Sequence, residues 1–380
     1  MLWILICSSG ENFKNFINDL VLYKKFSIFL LLFIAIHGIS LIYSSNYSYG
    51  LSKFYGIFFN IILNILALRF ILINFSSKFF RIIIEVVLFF GAALTLISIF
   101  AGPFNSFYDE YQQTKIFGIN LWSHVGFGRY MGFVFIVSLI NIIYLGFLKK
   151  LNLDKIFLLI SFAGLLLSGL RGAIVCSFII SAIIVIYSLK EKNISVSKIL
   201  IFLCVGVLVL VPAAYFNNSF SILLSRFTQV FNVFHQEDLS DGAISTRLHI
   251  YKNSFELFLQ SVFIGKGLGS YYDNSLFQFT RGLKYPHNII IEYAIELGSI
   301  GFIFILAVLS IIFKSVLKIN TVLSLVFLYF VLLSMFSYSI SFQTGMFSFI
   351  AFIALNEKTV TAVKNSVDSL INKILHQSPA

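Results

Sequence analysis

Seven residues of this sequence have side chains suited to chemistry and positions that topology alone does not explain. Arg129 sits in GFGRYMGF, Arg171 in LLLSGLRGAIV and Arg247 in ISTRLHIY. Arg281, Lys284, His287 and Asn288 lie in RGLKYPHNIIIEYAIELGSIG. Guanidinium groups hold phosphate through paired N–H donors and neutralise charge without a metal. An imidazole kept neutral near pH 7 can accept a proton as a general base. Together these types suit a site that holds an anion beside a proton acceptor.

Each residue also has a plainer reading. Arg171, between two closely spaced apolar runs, can snorkel to headgroups, or its Ser-Gly-Leu-Arg-Gly turn can admit a ligand close to the guanidinium. Ser245 and Thr246 are good N-caps, which would put Arg247 in a first helical turn. There it meets a lipid phosphate, or it grips an anion together with helix amides. Pro286 fits the first position of a helix, so His287 is expected in the first turn, either as an interfacial cap or as a base. On that helix Ile291, Ala294, Gly298 and Gly301 share the His287 face at about 100° per residue. This small face would admit another helix or a lipid chain. Glu296 falls on the opposite face and is expected to pair with another helix.

These residues must be positioned by a membrane protein. Of 380 residues, 59% are hydrophobic and 11% charged, far below the roughly 25% charged of a soluble domain. Apolar runs long enough to span a bilayer occur at about 26–44, 54–75, 82–101, 125–148, 155–170, 172–189, 198–216, 287–313, 320–336 and 338–355. Lys and Arg cluster at every second break, whereas one alternate break holds only Lys53. The positive-inside rule then predicts an all-α polytopic fold of about ten helices with both termini cytoplasmic. The net charge of +11 reports this topology, so no nucleic-acid partner is expected.

By that topology the basic residues listed first all lie at or near the outer face. One long outer loop, 217–286, carries two helical patterns, 219–234 and 246–262, the second placing Leu248, Tyr251, Phe255, Phe258 and Leu259 on one stripe. The expected organisation is helices over 1–216, this loop, helices over 287–355 and a cytoplasmic tail over 356–380. The opening MLWILICSSG lacks a basic n-region and is too short to span, so no cleaved signal is read.

Other chemistries lack a pattern. Cys7, Cys176 and Cys204 sit in apolar runs without a CxxC, so neither a disulfide framework nor a zinc site is expected. GKGLG at 265–269 lacks the spacing and context of a nucleotide loop and reads as a flexible turn. Asp238 and Asp241 read as a solvated turn, and no metal or cofactor is expected.

Three segments resemble the bacterial O-antigen ligase and O-antigen polymerase superfamily. His287-Asn288, nine residues, then Gly298-Ser-Ile-Gly301 is similar to its H-N-x9-G-x-x-G signature. SGLRGAIV at 168–175 is similar to its Ser-x-x-Arg-Gly turn. STRLHIYKNSFELFLQSVFIGKGLGSYY at 245–272 is similar to its Arg-led loop helix with a following G-x-G turn. The likeness covers roughly 160–313. It implies a metal-independent, inverting glycosyltransferase with a GT-C-like helical membrane fold in the bacterial inner membrane. The donor would be a glycan on undecaprenyl pyrophosphate and the acceptor a sugar hydroxyl, on a growing glycan or on lipid A–core, with a chain-length regulator as a further partner. Arg171 and Arg247 would hold the pyrophosphate, His287 would activate the hydroxyl, and Arg281, Lys284 and Asn288 would be accessory. Arg129 is a suggestion from the residues alone. The Tyr-Pro-His-Asn-Ile-Ile-Ile-Glu run inclines the reading toward a polymerase over a ligase. A transporter of the same lipid would rest on Glu85, Arg69 and Glu296.

Overall fold

A computed structural model describes residues 10–100, 113–116, 119–145, 153–168, 170–192, 242–273, 285–336, 339–355, 357, 359–361 and 363–364. These residues are almost entirely helical, apart from one antiparallel hairpin, β1 (Gln113–Ile116) and β2 (Ile119–Ser123). Among them, Lys24–Ile42, Tyr47–Asn74, Val125–Ile143, Arg171–Ser188 and Ile289–Ile319 are long and apolar enough to cross a membrane. Ile84–Leu96, Lys155–Leu166 and Thr321–Ser334 are shorter apolar helices. The chain is an all-α, multi-pass membrane protein. The expected span at 198–216 and the amphipathic pattern at 219–234 lie outside the described residues.

The helices are α1 (Gly10–Leu22), α2 (Lys24–Ile42), α3 (Tyr47–Gly56), α4 (Leu63–Phe100), α5 (His124–Ile140), α6 (Leu153–Leu167), α7 (Arg171–Lys192), α8 (Gly242–Gln260), α9 (Ile289–Ile319) and α10 (Thr321–Ser334). A π-helical turn, Ile57–Ile62, joins α3 to α4. Two expectations change here. The backbone stays helical through the basic break expected between 75 and 82. Lys and Arg are good helix formers and no Gly or Pro stands there, so the charge does not end the helix. The expected last span, 338–355, is instead three short pieces, Ile340–Phe342, Thr344–Phe347 and Ser348–Phe352.

The chain divides into two compact units, Met1–Phe79 with Leu239–Ser366, and Phe80–Asp238 with Val367–Ala380. In the second, Leu88, Ala92, Val137 and Phe157 form a core. Small residues let the helices close there, as membrane helices require. A Cβ on Gly91 would stand 2.6 Å from Val134 Cγ1, and one on Gly164 2.5 Å from Thr95 Oγ1.

The first unit is organised around a break in α9. Gly298 has φ 66° and ψ −157°, so Ile289–Ile319 is two helices joined at a kink. Such a kink frees backbone groups that lipid cannot satisfy. The GKGLG turn supplies the missing partners. Lys266 N donates to Ile295 O (3.2 Å) and Gly267 N to Glu296 O (2.8 Å), while Ser299 N donates to Val262 O (2.7 Å) and Ile300 N to Phe263 O (3.3 Å). The other edge of the turn is held by the α2–α3 connection, where Ser44 Oγ donates to Leu268 O (2.6 Å) and Leu268 N to Ser40 O (3.2 Å). The turn is therefore a fixed strut.

Candidate active site

The start of α9 differs from the sequence expectation by three residues, Ile289 in place of Pro286. Asn288 is the N-cap, its side chain accepting from Ile290 N (3.0 Å) and Ile291 N (3.2 Å). Asn outranks Pro as the boundary because its oxygen satisfies two orphan donors. Pro286 and His287 therefore precede the helix. His287 has φ 58°, a left-handed conformation that costs a non-glycine residue about 1–2 kcal/mol. Its half-buried ring meets Tyr285 edge-on at 4.6 Å. The cap and the turn thus leave His287 ahead of the first helical turn. The expected shared face below His287 does not form, because Gly298 and Gly301 serve the kink. A Cβ on Gly298 would lie 2.4 Å from Phe263 O, and one on Gly301 2.6 Å from Tyr293 O.

Arg247 also shifts in register. α8 begins at Gly242, so Ser245 and Thr246 are not its caps and Arg247 is past the first turn. Its side chain lies outside the described residues, as do Arg281 and Lys284. α8 and α9 share a core of Ile250, Leu257, Tyr271 and Ile295, with Ile291 against it. Their tie at Val262–Ser299 marks one end of the pair. Arg247 is one turn upstream of Ile250, and His287 is four residues upstream of Ile291. Both lie toward the other end. Burial pushes the Tyr271 phenol in this core up to about 12, so it is no proton acceptor near neutral pH.

In the second unit, Arg171 is the first residue of α7 and is half-buried. Ser168 Oγ accepts from Leu170 N (3.3 Å), and Leu170 O receives Ile174 N (3.1 Å), which sets the start of the helix. α5 runs into this turn, since a Cβ on Gly128 would stand 2.7 Å from Leu170 Cβ and 2.9 Å from Ser168 Oγ. Arg129, the next residue, is buried. This unit therefore gathers Arg129 and Arg171 at one end of its helices.

The sequence reading missed one ionic site. Lys53, expected in a short outer break, is buried inside α3, with Nζ 2.6 Å from Glu296 Oε1 and 2.5 Å from Glu292 Oε1. Glu292 also accepts from Ser339 Oγ (2.6 Å) and Ile340 N (3.0 Å). The partner expected for Glu296 is thus Lys53. Two carboxylates at i and i+4 in an apolar run were the signal that a buried cation must exist. Arg69 is likewise closed off, donating to both Asp19 oxygens and to three carbonyls.

Residues 156–306 match the family model described as O-antigen ligase. This segment, about two fifths of the chain, is similar to that family. The O-antigen ligase match contains Arg171, Arg247, Arg281, Lys284, His287 and Asn288, and it ends beyond Gly298 and Gly301, so it spans the strut and kink as well. Arg129 lies outside it. No curated protein matches the chain.

Proposed function

We propose that the protein is an inner-membrane glycosyltransferase that moves a glycan from undecaprenyl pyrophosphate to a sugar hydroxyl at the periplasmic face. The acceptor oxygen attacks the anomeric carbon with inversion as the carbon–oxygen bond to pyrophosphate breaks. The hydroxyl proton passes to the His287 imidazole, and the departing pyrophosphate keeps the bonding electron pair. Arg171 and Arg247 neutralise it without a metal. Arg281, Lys284 and Arg129 add positive charge, and Asn288 fixes the turn that presents His287. The observation that carries this reading is the left-handed His287 turn inside the matched domain. Backbone strain held by a cap and a buried proline supports a functional constraint. Both termini are cytoplasmic in this proposal.

The acceptor is a growing glycan, which makes the protein a repeat-unit polymerase. The description of the matched family favours a second reading, transfer to lipid A–core. Disruption in the native cell separates them. Loss of a polymerase leaves surface lipopolysaccharide capped by a single unit, whereas loss of a ligase strips the core of repeat units and loads the carrier lipid.

Purified full-length chain in liposomes with lipid-linked donor and acceptor tests the enzyme. His287→Ala is expected to lower transfer by about 10²–10⁴-fold while the protein still inserts. Normal product from that variant returns His287 to a purely structural role. Arg171→Lys is expected to lower transfer about ten- to a hundredfold, because a lysine cannot form the paired donor contact. Donor that crosses the bilayer without a new glycosidic bond would sink the proposal.

A further inference from the structure

α1 and α8 share a layout that a helix at a water-facing surface does not need. On α8, Ile250, Ser254 and Leu257 are buried, and Lys252, Glu256 and Gln260 form an exposed polar sector. Between these sectors run Tyr251, Phe255 and Leu259, apolar and exposed, with Phe255 at 62%. The stripe continues past the helix into Phe263 at 78% and Ile264. α1 repeats the pattern. Phe16 and Asp19 are buried, Lys14 and Asn18 are exposed and polar, and Phe13, Ile17 and Val21 are apolar and exposed. A surface helix in water divides into two sectors, apolar inward and polar outward. A third sector, apolar yet uncovered, belongs to a helix that meets protein, lipid and water together.

Both stripes join surfaces of membrane spans. Tyr43 Oη donates to Ile264 O at 2.7 Å, which sets the α8 stripe beside the end of α2, where Ile39 and Ile42 are exposed. Ile300 N bonds Phe263 O, which joins the stripe to the exposed Ile300 and Ile303 of α9. At the other end of α2, Tyr23 N donates to Asp19 O (2.8 Å) and Ser27 Oγ to Leu20 O (2.6 Å). These bonds set α1 beside the exposed Ile28, Leu31 and Leu32. α2 has 19 residues, a rise of about 28 Å, close to the roughly 30 Å hydrocarbon core of a bilayer.

We propose that α1 and α8 lie in the two opposite interfaces of the membrane, each with its apolar stripe in acyl chains and its polar sector toward headgroups and water. The bilayer is thus the partner of both stripes, and α8 is a fixed part of the membrane rim of its unit.

Single-tryptophan variants of the full chain in vesicles test this, with Trp3 and Trp122 changed to Phe. Trp is introduced at Ile17, Val21, Phe255 or Leu259, and for comparison at Asn18 or Lys252. All six sites are exposed, so packing is undisturbed, and two sites per stripe guard against a misfolded variant. The stripe positions are expected to emit to the blue and to lose most of their fluorescence when the phosphatidylcholine carries bromine high on its acyl chains. The Asn18 and Lys252 positions are expected to respond to aqueous acrylamide instead. Stripe positions that respond to acrylamide overturn the proposal. Blue emission insensitive to both quenchers overturns it too, because protein then covers the stripe.

Discussion

Two elements of the first unit are interrupted, and each gap is closed by different means. At Gly298 the freed groups of α9 bond to the backbone of residues 262–267. In 339–354 the freed groups bond to charged side chains. Glu292 receives Ile340 N, and Arg69 donates to Ala351 O (2.9 Å), Ile353 O (2.8 Å) and Ala354 O (3.3 Å). Backbone repair demands close approach. Gly265, Gly267, Gly269 and Gly298 all have positive φ, and a Cβ on any of them would stand 2.3–2.6 Å from backbone atoms. Side-chain repair uses no positive-φ glycine but buries ions, and each ion then needs a counter-ion, Asp19 for Arg69 and Lys53 for Glu292. The first device is neutral and rests on close backbone approach; the second is electrostatically exacting.

That contrast is broken most forcefully at Arg69. Arg69→Ala is expected to destabilise the protein by about 3–5 kcal/mol, since Asp19 is left buried and unpaired and three carbonyls lose their donors. Thermal unfolding in detergent measures it. Asp19→Ala added to Arg69→Ala should recover part of the loss, because the orphaned charge is gone. A double variant no better than the single would show that the carbonyl contacts alone carry the cost.

Gly298→Ala is expected to cost about 2–4 kcal/mol, combining the left-handed penalty with a contact against Phe263 O that must give way. The same unfolding assay checks it. A mild effect would mean that the 262–267 strut can slide, and the two repairs would then differ less in rigidity than their geometry implies.

The same contrast explains what the sequence made legible. Glycine requirements are categorical, so the Gly298 and Gly301 spacing stood out with GKGLG, although GKGLG read as flexible when it is a strut. Hydropathy located the five helices among the described residues that are long and apolar enough to cross, because bilayer thickness fixes their length. It did not report that 338–355 is broken, since apolar content says nothing of hydrogen-bond continuity. Lys53 was misread because a lone lysine in a short break looks like a loop marker. Its burial depends on two carboxylates more than 230 residues away. Pro286 and Asn288 both mark helix starts, and only the bonds made by the Asn288 oxygen decide between them.

Asn288 tests the smallest version of side-chain repair, one neutral oxygen satisfying two amides beside the reactive turn. Asn288→Ala is expected to cost only about 1 kcal/mol of stability. If the cap holds His287 in its left-handed turn, transfer should fall by more than that stability loss accounts for. Asn288→Asp, which keeps an accepting oxygen in the same place, should restore stability, and it should restore transfer as well if the role of Asn288 is to position His287. Restored stability without restored transfer would mean that the Asn288 amide touches substrate itself, and the site would then extend one residue into α9.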